Sequence, residues 1–305
     1  MDHPLSARPT ASTPARHGLA WGFVGVLAFS FTVPFTRVAV GGLAPLVVGA
    51  GRAVVAGALA AVALTLTRQA LPRGAQWARL AVVASGVVIG FPFLTSFALQ
   101  SVPASHGAVV VGLLPAATAV AAVLRAGERP ARSFWVFAVV GAVAAIGFAA
   151  VQGGGLGGLH RADLLLLGAV AAAAVGYAEG GVLARELGSW QTISWALVVV
   201  APVTVALAAA AVVREPPHAS ASQWAAFAYL AVVSMYLGFF AWYRGLALGP
   251  MARVSQVQLV QPVLTILWAW LLLHEHVTWP TVLGGLAVVA SAGLAVRTRL
   301  ARATT

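Results

Sequence analysis

The stretches ALQSVPASHGAVVVGLLPAATAVAAVLRAGERPARSFWVFAVVGAVAAIG (98–147) and GLALGPMARVSQVQLVQPVLTILWAWLLLHEHVTWPTVLGGLAVVASAG (245–293) decide how this chain folds. Slid by 147 residues they superpose without a gap. Over thirty positions eight residues then coincide, among them Pro103 on Pro250, Pro115 on Pro262 and Glu128 on Glu275. About three matches would be chance for so biased a composition, so a repeated unit is the simpler account. Both stretches also hold apolar runs of about 20 residues, the length that crosses a hydrocarbon core as a helix.

Working outward, the whole chain has the same character. Of its 305 residues 61% are hydrophobic and 8% charged, whereas a soluble domain carries about 25% charged residues to cover its surface. Strands of a membrane barrel would alternate with period two; these runs are continuous and rich in Ala, Leu, Val and Gly, so helices are expected. Ten runs stand out, at roughly 19–40, 45–67, 77–100, 104–125, 133–151, 163–184, 190–213, 223–247, 252–273 and 279–297. Tryptophans such as Trp21, Trp77, Trp190 and Trp279 lie near the starts of runs, where an interfacial ring is favoured. The expected architecture is an all-α integral membrane protein. It has a disordered cytoplasmic tail (1–17), a first repeat of five helices (18–151), a glycine-rich linker (152–162), a second repeat (163–297) and a short tail (298–305).

All 18 basic residues are arginine. With the N-terminus inside, thirteen of them flank or follow the spans on the cytoplasmic side and only Arg37, Arg161 and Arg214 lie outside. That bias holds only for an even number of spans and places both termini in the cytoplasm. Five helices per repeat is an odd number, so the two repeats must be inverted relative to each other, an arrangement that recurs in secondary carriers. The net charge of +11 is dispersed between apolar runs and does not form the basic face that nucleic acid requires. Without cysteine there is no disulfide framework and no thiolate metal site, and no cofactor is expected.

The two opening stretches resemble EamA domains. Each has a small-residue–Pro joint, a mid-helix proline, a glutamate after an aliphatic run and a glycine-containing last helix. The resemblance covers residues 19–297 as two tandem copies, within the drug/metabolite transporter superfamily. Arg52 in GAGRAVVAGALAA (49–61) matches an arginine which that family tends to place in its second helix. The stretch LAFSFTVPFTRVA (27–39) of helix one departs from the pattern, carrying Pro34 and lacking the Trp-Gly/Ala pair often found there. The resemblance implies a ten-helix inner-membrane carrier with a central cavity, often an exporter of amino acids, other small metabolites or drugs. The small-molecule solute and the lipid bilayer are then its partners.

Candidate site residues follow from the cost of polar groups in a span. Arg52 lies about two turns inside the second run, where it either binds a substrate carboxylate or bonds to backbone carbonyls of a neighbouring helix. Glu179, in the GxxxG pair Gly176–Gly180, either exchanges a proton during transport, or pairs with Arg52 or lies near the cytoplasmic end of its span. Arg244 is close enough to a span end to snorkel. Gln258 and Gln261 share a helical face just before Pro262 and need hydrogen-bond partners, from a wet cavity or from adjacent helices. Tyr177, Trp242 and Tyr243 either wall the solute or pack. Pro115 and Pro262 should kink their helices and serve in gating. Glu128 and Glu275, at span ends, read as loop or gate anchors. His274-Glu275-His276 does not make a metal site, since neighbours in sequence do not share a helical face. The rival classes are a membrane-embedded enzyme, for which no HExxH or GxS elbow is present, and a scaffold without transport.

Overall fold

The computed structural model describes residues 13–126, 131–152, 160–248 and 254–303, and every regular element in them is helical. Seven helices are long and apolar enough to cross a membrane: α1 (His17–Ala39), α2 (Pro45–Leu66), α3 (Gln76–Ala98), α4 (Ala104–Arg125), α6 (Arg161–Leu187), α7 (Ser189–Arg214) and α8 (Ala221–Leu248). Three further apolar helices fill the remaining expected places. They are α5 (Arg132–Gln152), α9 (Gln261–Leu273, preceded by the 3-10 stretch Ser255–Val260) and α10 (Trp279–Ala303). A helix satisfies its backbone internally, which is why continuous apolar runs adopt it. Their ends follow ordinary stop and start chemistry. Pro45 opens α2 at a position that needs no N–H donor. Ser220 and Gln223 form a reciprocal capping box at α8. Gly188, at φ 98°, makes the sharp joint between α6 and α7.

The helix of the N-terminal tail begins at Thr13, inside the stretch expected to be disordered, and α10 runs on to Ala303. Pro14 suits the first turn of a helix, and residues 298–303 are built largely from alanine and arginine, which are good helix formers. Glu128 and Pro250, two of the repeat's markers, lie outside the described residues.

Several helices are interrupted, and proline explains three of the breaks. α1 is broken at Phe31 ahead of Pro34, α4 at Gly112–Leu113 ahead of Pro115, and the 3-10 stretch gives way to α9 one residue before Pro262. Proline lacks the N–H that would bond the carbonyl four residues earlier. For Pro34 that orphan is the Ser30 carbonyl, and Thr265 Oγ1 on α9 donates to it at 2.8 Å. Two further irregularities are π-helical, Ala84–Gly90 in α3 and Leu230–Leu237 in α8. Moved by the same 147 residues, the first falls inside the second.

Each half packs mainly on the other. α2 lies along α7, α5 along α10, α1 along α8 and α3 along α6. This set is unchanged when the halves are exchanged, as a two-fold relation requires. Two glycine contacts bring backbones together. A Cβ on Gly86 of α3 would sit 2.9 Å from the Cα of Gly176 on α6, and one on Gly245 of α8 would sit 2.7 Å from the backbone nitrogen of Gly22 on α1. Small residues permit such approaches where lipid supplies no hydrophobic drive between helices. Valines such as Val136, Val139 and Val143 on α5 and leucines such as Leu283 on α10 face outward, an apolar surface suited to acyl chains and not to water.

Candidate central cavity and its two closures

Between the halves lies a cavity with about 390 Å³ of space free of atoms, of which enough is open to a water-sized sphere for roughly one water molecule. Both π-helical stretches reach it, through Val87 from α3 and Ser234 and Met235 from α8. Widened turns of this kind recur at functional sites. Phe29 and Tyr177 stack beside it with ring centroids 6.3 Å apart, and Phe239 meets Phe29 edge-on at 5.0 Å. Two hydroxyls on its wall, Thr32 and Ser234, bond each other at 2.8 Å.

Arg52 opens into this space. It is 1% exposed, and its Nε and Nη2 have no hydrogen-bond partner. Among the described residues none of the ion pairs includes it, and no Asp or Glu lines the cavity. The alternative in which Arg52 is held by backbone carbonyls therefore finds no support at those two nitrogens. An unpaired buried charge costs several kcal/mol, roughly, even after the surroundings relax, so a native site that keeps one ordinarily has an anion to meet. Gln261 shares the cavity wall, and its Oε1 is also unpartnered.

The other expected site residues take different places. Tyr177 lines the cavity. Trp242 and Tyr243 are fully buried and form a second layer behind it. Trp242 stands 5.6 Å from Tyr177, and the Tyr243 hydroxyl donates to the Gly176 carbonyl at 3.4 Å. Gly180 accommodates the Tyr243 ring while Gly176 faces Val87 of α3, so the GxxxG pair serves two different neighbours. Gln258 is buried with both amide atoms unpartnered but does not line the cavity. Arg244 is exposed in a surface groove with Arg185, Trp21 and Trp190, the place of a snorkelling cation.

Glu179 lies outside the cavity and does not pair with Arg52. Its Oε1 accepts from Arg79 Nε of α3 and its Oε2 accepts from Arg125 Nε of α4 at 2.5 Å, and Arg79 Nη1 also donates to Glu186 at 2.6 Å. These four residues tie α3, α4 and α6 together at one end of the bundle. At the opposite end Glu275, just past α9, accepts from the backbone N–H groups of Ala104 and Ser105 at 2.7 and 2.8 Å. A carboxylate there satisfies donors that the start of α4 cannot pair internally. Beside it the His106 ring nitrogen Nε2 and Asp163 Oδ1 are 2.7 Å apart, both buried. Sequence reasoning missed His106 and Asp163. It also treated Arg79 and Arg125 as markers of topology alone; their pairing depends on which helices adjoin, and no local signal carries that.

The sequence pattern of the EamA-like transporter family matches residues 16–150 and again residues 160–297. The chain is 45% identical over 276 residues to a Bacillus subtilis (strain 168) protein named Uncharacterized transporter YdeK, spanning 90% of this chain and 96% of that one. A crystal structure at 21% identity superposes with a TM-score of 0.62 over 95% of this chain and 99% of the other, a likeness of fold.

Proposed function

We propose a function from one premise: this chain belongs to the EamA-like transporter family and is a multi-pass membrane transporter built from two tandem EamA units. It works as a secondary carrier in the bacterial inner membrane, with ten spans and both termini cytoplasmic. It exports a small metabolite, amino acid-like or drug-like, by alternating access between two inverted repeats. The observation that carries this proposal is a central cavity between the halves, with polar contacts that cross from one half to the other towards each end of the bundle. Glu179 of the second half is held by Arg79 and Arg125 of the first. Glu275 of the second half holds the start of α4 in the first, which also makes α4 and α9 antiparallel, as inverted repeats require.

The mechanism opens one closure while the other holds. Arg52, Tyr177 and Gln261 face the solute, Trp242 and Tyr243 support the aromatic wall, and Gln258 presents its unpaired amide as the kink at Pro262 flexes. Pro115 and Pro262 are the hinges, because the backbone is already broken beside each. Opening the inner end frees the Glu179 carboxylate from two guanidiniums, and in that state it can take and release a proton.

Labelled solutes in proteoliposomes test the proposal, together with metabolite excretion from an overexpressing strain compared with a deletion strain. The expected result is solute movement that needs this protein. Hydrolytic activity with no movement of any candidate would replace the carrier with a membrane-embedded enzyme.

A further inference from the structure

Resting on the carrier proposed above, we infer that the central cavity, which in this closed form has room for about one water molecule, widens as one closure opens to take an organic anion, a carboxylate on an apolar or aromatic body, and discriminates against the zwitterion of the same shape. Among the described residues Arg52 is the one charged side chain on the cavity wall, and two of its nitrogens are buried without a partner. A monoanion neutralises that charge and supplies acceptors to a planar fork that matches a carboxylate.

A zwitterion does this less well. Its carboxylate can meet Arg52, but its ammonium then enters a site where no carboxylate waits. The carboxylates nearest in role are engaged elsewhere: Glu179 with Arg79 and Arg125, Asp163 with His106, and Glu275 with the start of α4. The hydroxyls of Thr32 and Ser234 are already bonded to each other. What remains for an ammonium is uncharged acceptors, the free lone pairs of those hydroxyls and the Gln261 carbonyl, together with the aromatic faces, against repulsion from the guanidinium. A cation without a carboxylate meets only the repulsion. The rings of Phe29, Phe91, Tyr177 and Phe239 supply the apolar contact for the body of the solute.

Three probes separate the charges while holding the shape: 3-phenylpropionate, L-phenylalanine and phenethylamine share a phenyl ring and a two-carbon spacer. Binding to the purified full chain in nanodiscs is measured by calorimetry, and flux is measured separately in proteoliposomes. The expected order is 3-phenylpropionate about 10-fold tighter than phenylalanine, with phenethylamine weakest. Arg52→Gln should weaken 3-phenylpropionate by about 10-fold or more and level the order, while Arg52→Lys keeps part of it. Phenylalanine binding as tightly as 3-phenylpropionate to the unaltered protein overturns the inference, whatever the fate of the variants. So does an Arg52→Gln protein, monodisperse on gel filtration, that holds the anion as the unaltered protein does, and so does a folded protein that binds none of the three. The expected binding order without flux would instead sink the carrier and leave the anion site standing. Flux of phenylalanine without flux of 3-phenylpropionate would do the reverse.

Discussion

Replacing Glu179 by glutamine should loosen one end of this bundle and leave the rest intact. The carboxylate is 6% exposed and is shared by Arg79 and Arg125. Removing one partner of a fully buried pair costs about 3–5 kcal/mol. The figure here is smaller, because Arg125 is half exposed and screened by water, and because Arg79 keeps Glu186 at 2.6 Å. About 2 kcal/mol is left, which moves an open–closed equilibrium roughly 30-fold. The chain contains no cysteine, so a single reporter needs no altered background. Ala173, on α6 in the cavity wall and 1% exposed, is a suitable position. Labelling of Ala173→Cys by an impermeant maleimide, from the side where α3 begins, should speed up by up to about 30-fold when Glu179→Gln is added. Glu186→Gln, at a more exposed carboxylate, should speed it less than about threefold. Labelling that stays within a factor of two in the Glu179→Gln background, or slows, would refute the assignment of this cluster as a closure.

The opposite end offers a matching test: Glu275→Ala removes the acceptor of two backbone donors and should cost about 1–2 kcal/mol there, read as faster labelling of a cysteine at Thr32 from the other side of the membrane. Asp163→Asn should act in the same direction, since it weakens both the His106 contact and the hydrogen bond from the His160 N–H; unchanged labelling in both variants would remove this end from the gating scheme. At Gly176 a Cβ would already lie 2.6 Å from Val87 Cγ1, so Gly176→Leu should abolish recovery of monodisperse protein. Gly147, with nothing within 4 Å of a Cβ, should accept alanine and gain about 0.5–1 kcal/mol from helix propensity, seen as a slightly higher melting temperature. Cysteines on either side of Pro115 and Pro262 should change their accessibility when solute is added, and an identical pattern with and without solute would count against those prolines as hinges.

Much of the fold was legible because it rests on counting. Apolar length alone placed α1 to α4 and α6 to α8 within a few residues of their observed ends, since a helix that must satisfy its own backbone has little choice of conformation. Proline marked the breaks for the same local reason. The π-helical turns were not legible: Leu230–Leu237 contains no proline or glycine to announce its widened ladder. The site was half legible. Arg52, Tyr177 and Gln261 were found by the cost of polarity in an apolar run and do share the cavity. Glu179 was found by the same rule, yet it lies in an ion cluster at the bundle's end. Cost says that a buried charge needs a partner and does not say which.

By itself, then, the sequence determined what every residue's solvent and backbone could tolerate. Membrane-length apolar helices, a unit repeated at 147 residues and an uneven spread of arginines among the joints between apolar runs all follow from local composition and order. Only the tertiary structure decided which polar groups meet. Arg79, Arg125 and Glu179 come from three helices as much as 100 residues apart, and their convergence depends on glycines letting α3 approach α6. The same packing leaves Arg52 without a carboxylate. Pairing between distant helices is a property of the packed whole: of two buried charged side chains it gave Glu179 two guanidiniums and left two nitrogens of Arg52 unpartnered.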